Sequence, residues 1–413
     1  MDVKNTREGT VDKKLSKNVL LLGVTSFLTD LSSEMIFPLL PLFLVNILHA
    51  DISIVGLIDG VAESTADLGK MISGWYSDKI KKRKPFILAG YGFSTFTKPF
   101  FALATAWPHV LFVRFLDRIG KGLRGTARDA MIADETTGKT RGRAFGYRKM
   151  MDQLGAVLGP LAAYFLLPYF TARMPEADAY RTIFWLSFIP AILAMPVLLL
   201  VREKAAKIAE TRKVPISAAL GPDFKKFLMV TLVFALGMFS YSFMILRAQE
   251  AGVKVENIPL MYLSFNVSYM VFAMPVGGSS DKIGRRNMLA IGNLVFGVLC
   301  IGLMNAQTAL AMWTLFIVYG IFMAIMETVQ RAYISDIVGQ DIRGTALGLH
   351  QGASGFAALP ANLAIGLLWS TYGSKAAFTY ALAMTALAFV LLILLVKERG
   401  KQEKAGFISP PAQ

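Results

Sequence analysis

One cysteine and three histidines are all the thiol and imidazole that 413 residues provide. Cys300 has no second cysteine to pair with, and it stands inside an apolar run, where a small core residue is its simplest role. His49, His109 and His350 are scattered, with no Cys/His spacing of a metal site. Neither a disulfide framework nor a metal centre is expected, and no cofactor. Charge is scarce too, at 17% of residues, and acid is the scarcer sign: 28 Asp and Glu against 43 Lys and Arg, a net charge of +15. No nucleophile–base constellation stands out, and Gly120-Lys121-Gly122 lacks the rest of a phosphate loop, so an enzyme is not expected. The basic excess does not point to nucleic acid either, because it lies in short connections between apolar runs rather than on an Arg–aromatic surface.

What the chain has in quantity is apolar length. Hydrophobic residues make up 54% and the mean hydropathy is +0.51. Runs of about 20 apolar residues recur, each long enough to cross a bilayer core of about 30 Å. They do not alternate as barrel strands do, and a backbone in lipid must then satisfy itself within a helix. The pattern predicts an all-α membrane protein of twelve transmembrane helices, near 18–48, 53–76, 86–106, 109–132, 143–168, 181–201, 226–248, 257–279, 288–306, 309–334, 345–370 and 375–397. The second and tenth are the least clean.

Lys and Arg gather in alternate connections, at 13–17, 79–84, 139–143, 202–226, 282–286 and 397–404. The opposite set carries only Arg173, Arg181, Arg247, Lys254 and Lys375. The richer side is expected to be cytoplasmic. Both termini then lie inside, with a bacterial inner (plasma) membrane as the expected setting. The polar stretch 202–225 reads as a cytoplasmic linker between two six-helix bundles, 18–201 and 226–397. Residues 1–17 and 398–413 are the cytoplasmic tails. The apolar run behind the basic start is too long for a signal peptide.

A short loop occurs twice. GWYSDKIKKRK begins at Gly74 and carries Asp78 and Arg83; GGSSDKIGRRN begins at Gly277 and carries Asp281 and Arg285. Gly277 follows Gly74 by 203 residues (277 − 74), close to half the chain. A second pair, DAMIADETTGKTRGRAFGYR from Asp129 and RAYISDIVGQDIRGTALGLH from Arg331, repeats at nearly the same offset. Two matches at one offset indicate homologous halves related by an axis along the membrane normal. The paired Gly-x-x-x-Asp-Lys loops resemble those of the major facilitator superfamily, although Lys81 stands where that pattern has glycine.

The resemblance implies a secondary transporter and names no substrate, so the polar residues inside the spans carry the rest. The fourth span holds Arg114, Arg118 and Lys121 on one face, beside Asp117, Arg124 and Arg128. Each such charge costs about 2.5–3.5 kcal/mol at mid-membrane and needs a cavity or a partner. The second span offers Asp59, Glu63 and Asp67 at helical spacing; at 1.5 Å per residue Asp59 lies about as deep as Arg114 and Glu63 about as deep as Arg118. The first span adds Asp30 and Glu34, followed by Pro38 and Pro41, which should kink it. Lys98 is a lone cation in the third span. Substrate-binding candidates are Arg114, Arg118, Lys121, Tyr241, Asn266, Tyr269, Tyr319 and Glu327; proton-coupling candidates are Asp30, Glu34, Asp59 and Glu63.

Arg114 resembles the superfamily's fourth-span arginine motif, with Asp117-Arg118 in place of its Gln-Gly. Gly155, Gly159 and Pro160 resemble the Gly-x-x-x-Gly-Pro motif of the drug:proton antiporter branch, and such small residues should close the interface between halves. These likenesses imply proton-coupled efflux of a small amphipathic or charged organic solute by alternating access, from a monomer in lipid. Proton-coupled uptake of an organic anion, and a non-transport sensor or lipid-moving role, are the alternatives. The gate is expected at Gly74, Asp78, Arg83 and Arg128, with Asp78 paired to Arg128 or Arg124, and at Gly277, Asp281, Arg285 and Arg331, with Asp281 paired to Arg331.

Overall fold

The computed structural model describes residues 15–80, 82–136, 138–203, 221–339 and 342–398, with the backbone alone at 75, 78, 138 and 139. The two tails, most of the 202–225 linker and the side chain of Asp78 lie outside the described residues. Among the described residues there is no strand. Six helices form the first half: α1 (Lys17–Ile36), α2 (Ile52–Ile80), α3 (Lys84–Ala102), α4 (Trp107–Asp134), α5 (Gly138–Thr171) and α6 (Glu176–Leu199). The second half begins with a span in two pieces, α7a (Pro222–Gly237) and α7b (Tyr241–Glu250). It continues through α8 (Ile258–Ile283), α9 (Arg285–Asn305), α10 (Ala309–Ile337), α11 (Arg343–Tyr372) and α12 (Ser374–Leu395).

Local chemistry sets many of the boundaries. α3, α4, α7a and α8 each carry a proline in their first turn, where the missing N–H is no loss. Gly284 (φ 102°) and Gly373 (φ 85°) make the tight turns into α9 and α12, in a region that side-chain-bearing residues avoid. After Ile36 the prolines break α1, which resumes as a short turn over Leu40–Leu42 and a π turn over Phe43–Ile47. The chain thus behaves as Pro38 and Pro41 predict. The break in α7 at 238–240 has no proline to announce it.

Among the described residues nine of the spans are long and apolar enough to cross a membrane, the tenth among them. Those that fall short are α2, α3 and α4, the helices that hold Asp59 to Asp67, Lys98 and Arg114 to Arg128. Helices that pack inside lipid gain little from hydrophobic burial and depend on close van der Waals fit. Within the first half α1 packs on α5 and α6, and α4 on α2 and α3; within the second, α8 packs on α10, and α9 on α10 and α12. The halves meet along α2 with α11 and α5 with α8. A Cβ on Gly56 would fall 2.3 Å from the Asn362 carbonyl oxygen, which shows how tightly α2 seats on α11.

Candidate functional site

A cavity of about 1010 Å³ lies between the halves. Its walls come from α1, α2, α4 and α5 on one side and α7, α8, α10 and α11 on the other. It runs out to Asp129 and Arg331, which are 42% and 63% exposed, at the ends of α4 and α10 that share a face with the basic connections. At the opposite face it is shut. There Ser370 Oγ donates to Asp51 Oδ2 at 2.7 Å, Gln249 Nε2 donates to Asn46 Oδ1 at 3.1 Å, and Ser240 Oγ donates to Asp59 Oδ2 at 2.5 Å. Each of these bonds joins one half to the other.

The break in α1 brings Phe37 to the cavity wall, and the cations of α3 and α4 gather on its ring. The Arg114 guanidinium stands 4.2 Å from the ring centroid, that of Arg118 5.0 Å, and Lys98 Nζ 5.7 Å. Desolvated contacts of this kind are worth about 2 kcal/mol each. Lys98 is fully buried; it donates to Ser33 Oγ at 2.9 Å and pairs with Asp117 at 3.5 Å, and Asp117 accepts from Ser94 Oγ at 2.7 Å. The lone cation of the third span therefore has a carboxylate. Neither that pair nor the role of Phe37 was singled out from sequence; the available signal was an aromatic residue just before Pro38 in a span facing three cations.

Arg118 differs from its neighbours. It is 2% exposed and lines the cavity, yet among the described residues it has no hydrogen bond and no carboxylate within 4.0 Å, and its Nε and Nη1 are buried without a partner. Arg114 donates from Nη2 to Tyr241 OH at 3.2 Å, and its Nε and Nη1 are likewise unpartnered. Lys121 lines the cavity one turn further on. A buried guanidinium left unpaired is costly, and an anion in the cavity removes that cost.

The carboxylates divide by partner. Asp30 lies 3.9 Å from Arg124, which also covers the Tyr91 ring at 4.8 Å. Glu34 lines the cavity, as does Tyr262 of the other half, and keeps Oε2 buried and unpartnered. Glu63 lines the cavity near Arg118 and Lys121. Asp59 is only 5% exposed and holds Ser240; it makes no ion pair with Arg114, the partner its depth suggested. Tyr241, Asn266, Tyr269, Tyr319 and Glu327 all line the opposite wall. Tyr269 OH donates to Glu327 at 3.0 Å, and Glu327 faces Arg331 at 3.9 Å.

One sequence expectation is corrected by this geometry, and the gate residues are seen with the basic face open, not in the closed state for which their pairing is expected. Gly155 and Gly159 do not close the seam between halves; they seat α5 on α1 within the first half, where a Cβ on Gly159 would lie 2.5 Å from Glu34 Cβ. A small-residue stripe shows that a helix comes close without showing which. Asp281 does not pair with Arg331. Its oxygen is 2.5 Å from Arg285, which also reaches Asp336 at 3.3 Å. Arg331 turns to Glu327 on its own helix, and Arg128 is held by Ser26, Asp129 and Asp152.

The duplicated loops form matching clamps inside each half. Arg83 reaches Asp134 (3.8 Å) and Ser77 as Arg285 reaches Asp336 and Ser280. Glu203 accepts from the backbone of Arg83 and Lys84, as Glu398 does from Arg285, Arg286 and Asn287. Gly74 packs beside Thr126 and Gly277 beside Thr328.

Two pseudo-symmetric bundles around one polar cavity, open at one face and latched at the other, define a membrane transporter. The Major Facilitator Superfamily description matches residues 22–247 and 227–412, and the chain belongs to that superfamily. It is 36% identical over 392 residues to an uncharacterized MFS-type transporter of Methanocaldococcus jannaschii, covering 93% of this chain and 96% of that one. It is 22% identical over 369 residues to the cis,cis-muconate transport protein of Acinetobacter baylyi, covering 83% and 85%. Among solved structures, a bacterial homolog of the human lysosomal transporter Spinster, inward-facing and occupied, shares the fold with a TM-score of 0.77 at 14% identity, over 95% of this chain and 98% of that one.

Proposed function

We propose that the protein carries a small organic anion across a membrane by alternating access, coupled to protons. The carrying observation is Arg118, a buried guanidinium on the cavity wall that, among the described residues, rests on the Phe37 ring with no hydrogen bond and no carboxylate within 4.0 Å. Charge balance favours symport. Among the described residues the cavity lining carries eight Lys and Arg and eight Asp and Glu, with Arg118, Lys121 and Arg124 set against Asp30, Glu34, Glu63 and Asp117 at its depth. An anion alone would leave this set with a net negative charge in a poorly solvated place; an anion with a proton leaves it unchanged. The name of the muconate relative supports the same substrate chemistry. By the positive-inside rule the open face is cytoplasmic, with both termini and the linker on that side.

Efflux by proton antiport is the second reading, and the observation favouring it is the cavity's opening on the basic face, from which an exporter loads. Proteoliposomes with an imposed pH gradient separate the two. A symporter accumulates a labelled anion on the alkaline side, an antiporter on the acid side, relative to liposomes carrying Arg118→Gln. An anion flux unaffected by Arg118→Gln would overturn the anion reading.

A further inference from the structure

The cavity is charged on one wall only. The first half brings to it the cations and carboxylates of α1, α2, α4 and α5. On the second half the charged lining residues among those described are Glu327 and Arg331, and they face each other at 3.9 Å towards the open mouth. Deeper, that wall is a ladder of rings. Tyr241 and Tyr262 have centroids 5.0 Å apart, Tyr262 and Phe265 5.7 Å, Phe265 and Tyr319 5.0 Å. All four line the cavity opposite Arg118. Lys149 reaches this side from α5, but it is held over the Tyr269 ring at 5.3 Å, beside Glu327 and away from the ladder.

Building on the anion reading above, we infer that the substrate is a monoanion of split polarity: one carboxylate or equivalent group set against Arg118 and Lys121, and an unsaturated or aromatic body laid on the Tyr241–Tyr319 ladder. Ring faces carry the negative side of their quadrupole. Arg114 touches the ladder only at Tyr241 OH, at 3.2 Å, and does not line the cavity, so a second carboxylate lying on the Tyr262, Phe265 and Tyr319 faces would be desolvated there without a cation. A flat hydrocarbon body instead gains offset or edge contacts with the same rings. The one-sided wall thus selects against dicarboxylates.

Thermal stabilisation of the purified full chain in nanodiscs tests this with four probes: 3-phenylpropionate, terephthalate, cis,cis-muconate and 3-phenylpropanol. The expected result is stabilisation by 3-phenylpropionate at a concentration about tenfold or more below that needed for either dicarboxylate, about 1.4 kcal/mol in affinity, and none by the alcohol. Phe265→Leu should weaken stabilisation by 3-phenylpropionate about tenfold, towards the level of the dicarboxylates. If terephthalate or muconate binds as well as or better than the monoanion, the inference falls and the anion reading stands. If the alcohol binds as well as the acid, or no anion stabilises the protein, the anion reading itself falls. The comparison among probes is made on the unsubstituted chain, so it does not depend on any variant folding.

Discussion

Ser240 Oγ donates a 2.5 Å hydrogen bond to Asp59 Oδ2, from the break in α7 to the middle of α2. Ser240 is itself positioned by its backbone N–H, which donates to Asn362 Oδ1 at 2.9 Å. The break therefore sits between both helices of the α2–α11 seam, and the closed face cannot part without giving this bond up. A hydrogen bond to a charged group contributes about 1.5–3 kcal/mol, so Ser240→Ala should raise the population open at that face by about tenfold or more. Spin labels at Arg173 and Lys375, in connections on that face, should report a new long-distance component. An unchanged distance distribution would remove the bond from the latch.

Two glycines should fail in different ways. Gly56→Val places a branched side chain against the Asn362 carbonyl across the seam, where even a Cβ would be at 2.3 Å. The expected outcome is a protein that folds but cannot seal that face, seen as faster far-side labelling of Tyr241→Cys. Gly159→Leu acts inside the first half, on Glu34 and Leu31 of α1. Overpacking of this kind costs about 1–3 kcal/mol, and it should appear as a lower Tm with little change in sidedness.

Lys98 and Asp117 make a separable prediction about stability. Their side chains are 0% and 4% exposed. Removing one member of a buried pair costs about 3–5 kcal/mol because the other charge is stranded, whereas replacing both is far milder. Lys98→Met should lower the unfolding midpoint sharply, and Lys98→Met with Asp117→Asn should recover most of it. Equal losses in the single and double variants would show that the pair is not what holds α3 to α4.

The architecture was legible because its signals are local and repeated. Apolar length marked nine of the spans among the described residues, the Gly74 and Gly277 loops marked the halves, and Pro38 and Pro41 marked the break in α1. The break in α7 was not legible, since Met238, Phe239 and Ser240 carry no strong breaker and their conformation is held by Asn362 and Asp59, far away in sequence. Partners were the weakest point for the same reason. Spacing put Asp59 level with Arg114, but the side chain bonds to Ser240; Gly155 and Gly159 announced a close approach, but α1 rather than the other half supplies it.

Sidedness is testable independently of substrate. Lys226→Cys, at the basic face, and Lys375→Cys, on the turn into α12, should label from opposite sides of sealed vesicles. The basic-face cysteine should react only from the cytoplasmic side. Labelling of both from one side would be incompatible with the twelve-span arrangement.

Glu34 is the residue we expect to carry the coupled proton. Asp30, one turn earlier, already has Arg124 at 3.9 Å. Among the described residues Glu34 has no such cation within 4.0 Å; it lines the cavity between the halves and leaves Oε2 buried without a partner. A proton on Glu34 removes the charge from a buried, partnerless carboxylate, and its place in the cavity between the halves makes its surroundings change when they rock, so loading and movement are linked at one side chain. Glu34→Gln keeps the volume and the hydrogen-bonding capacity of the protonated form. It should therefore retain substrate exchange between equal pools, while losing accumulation driven by a pH gradient. Asp30→Asn should keep gradient-driven accumulation with altered affinity. If both variants accumulate substrate as the unsubstituted protein does, the proton site lies elsewhere on the wall, with Glu63 beside Arg118 the next residue to neutralise.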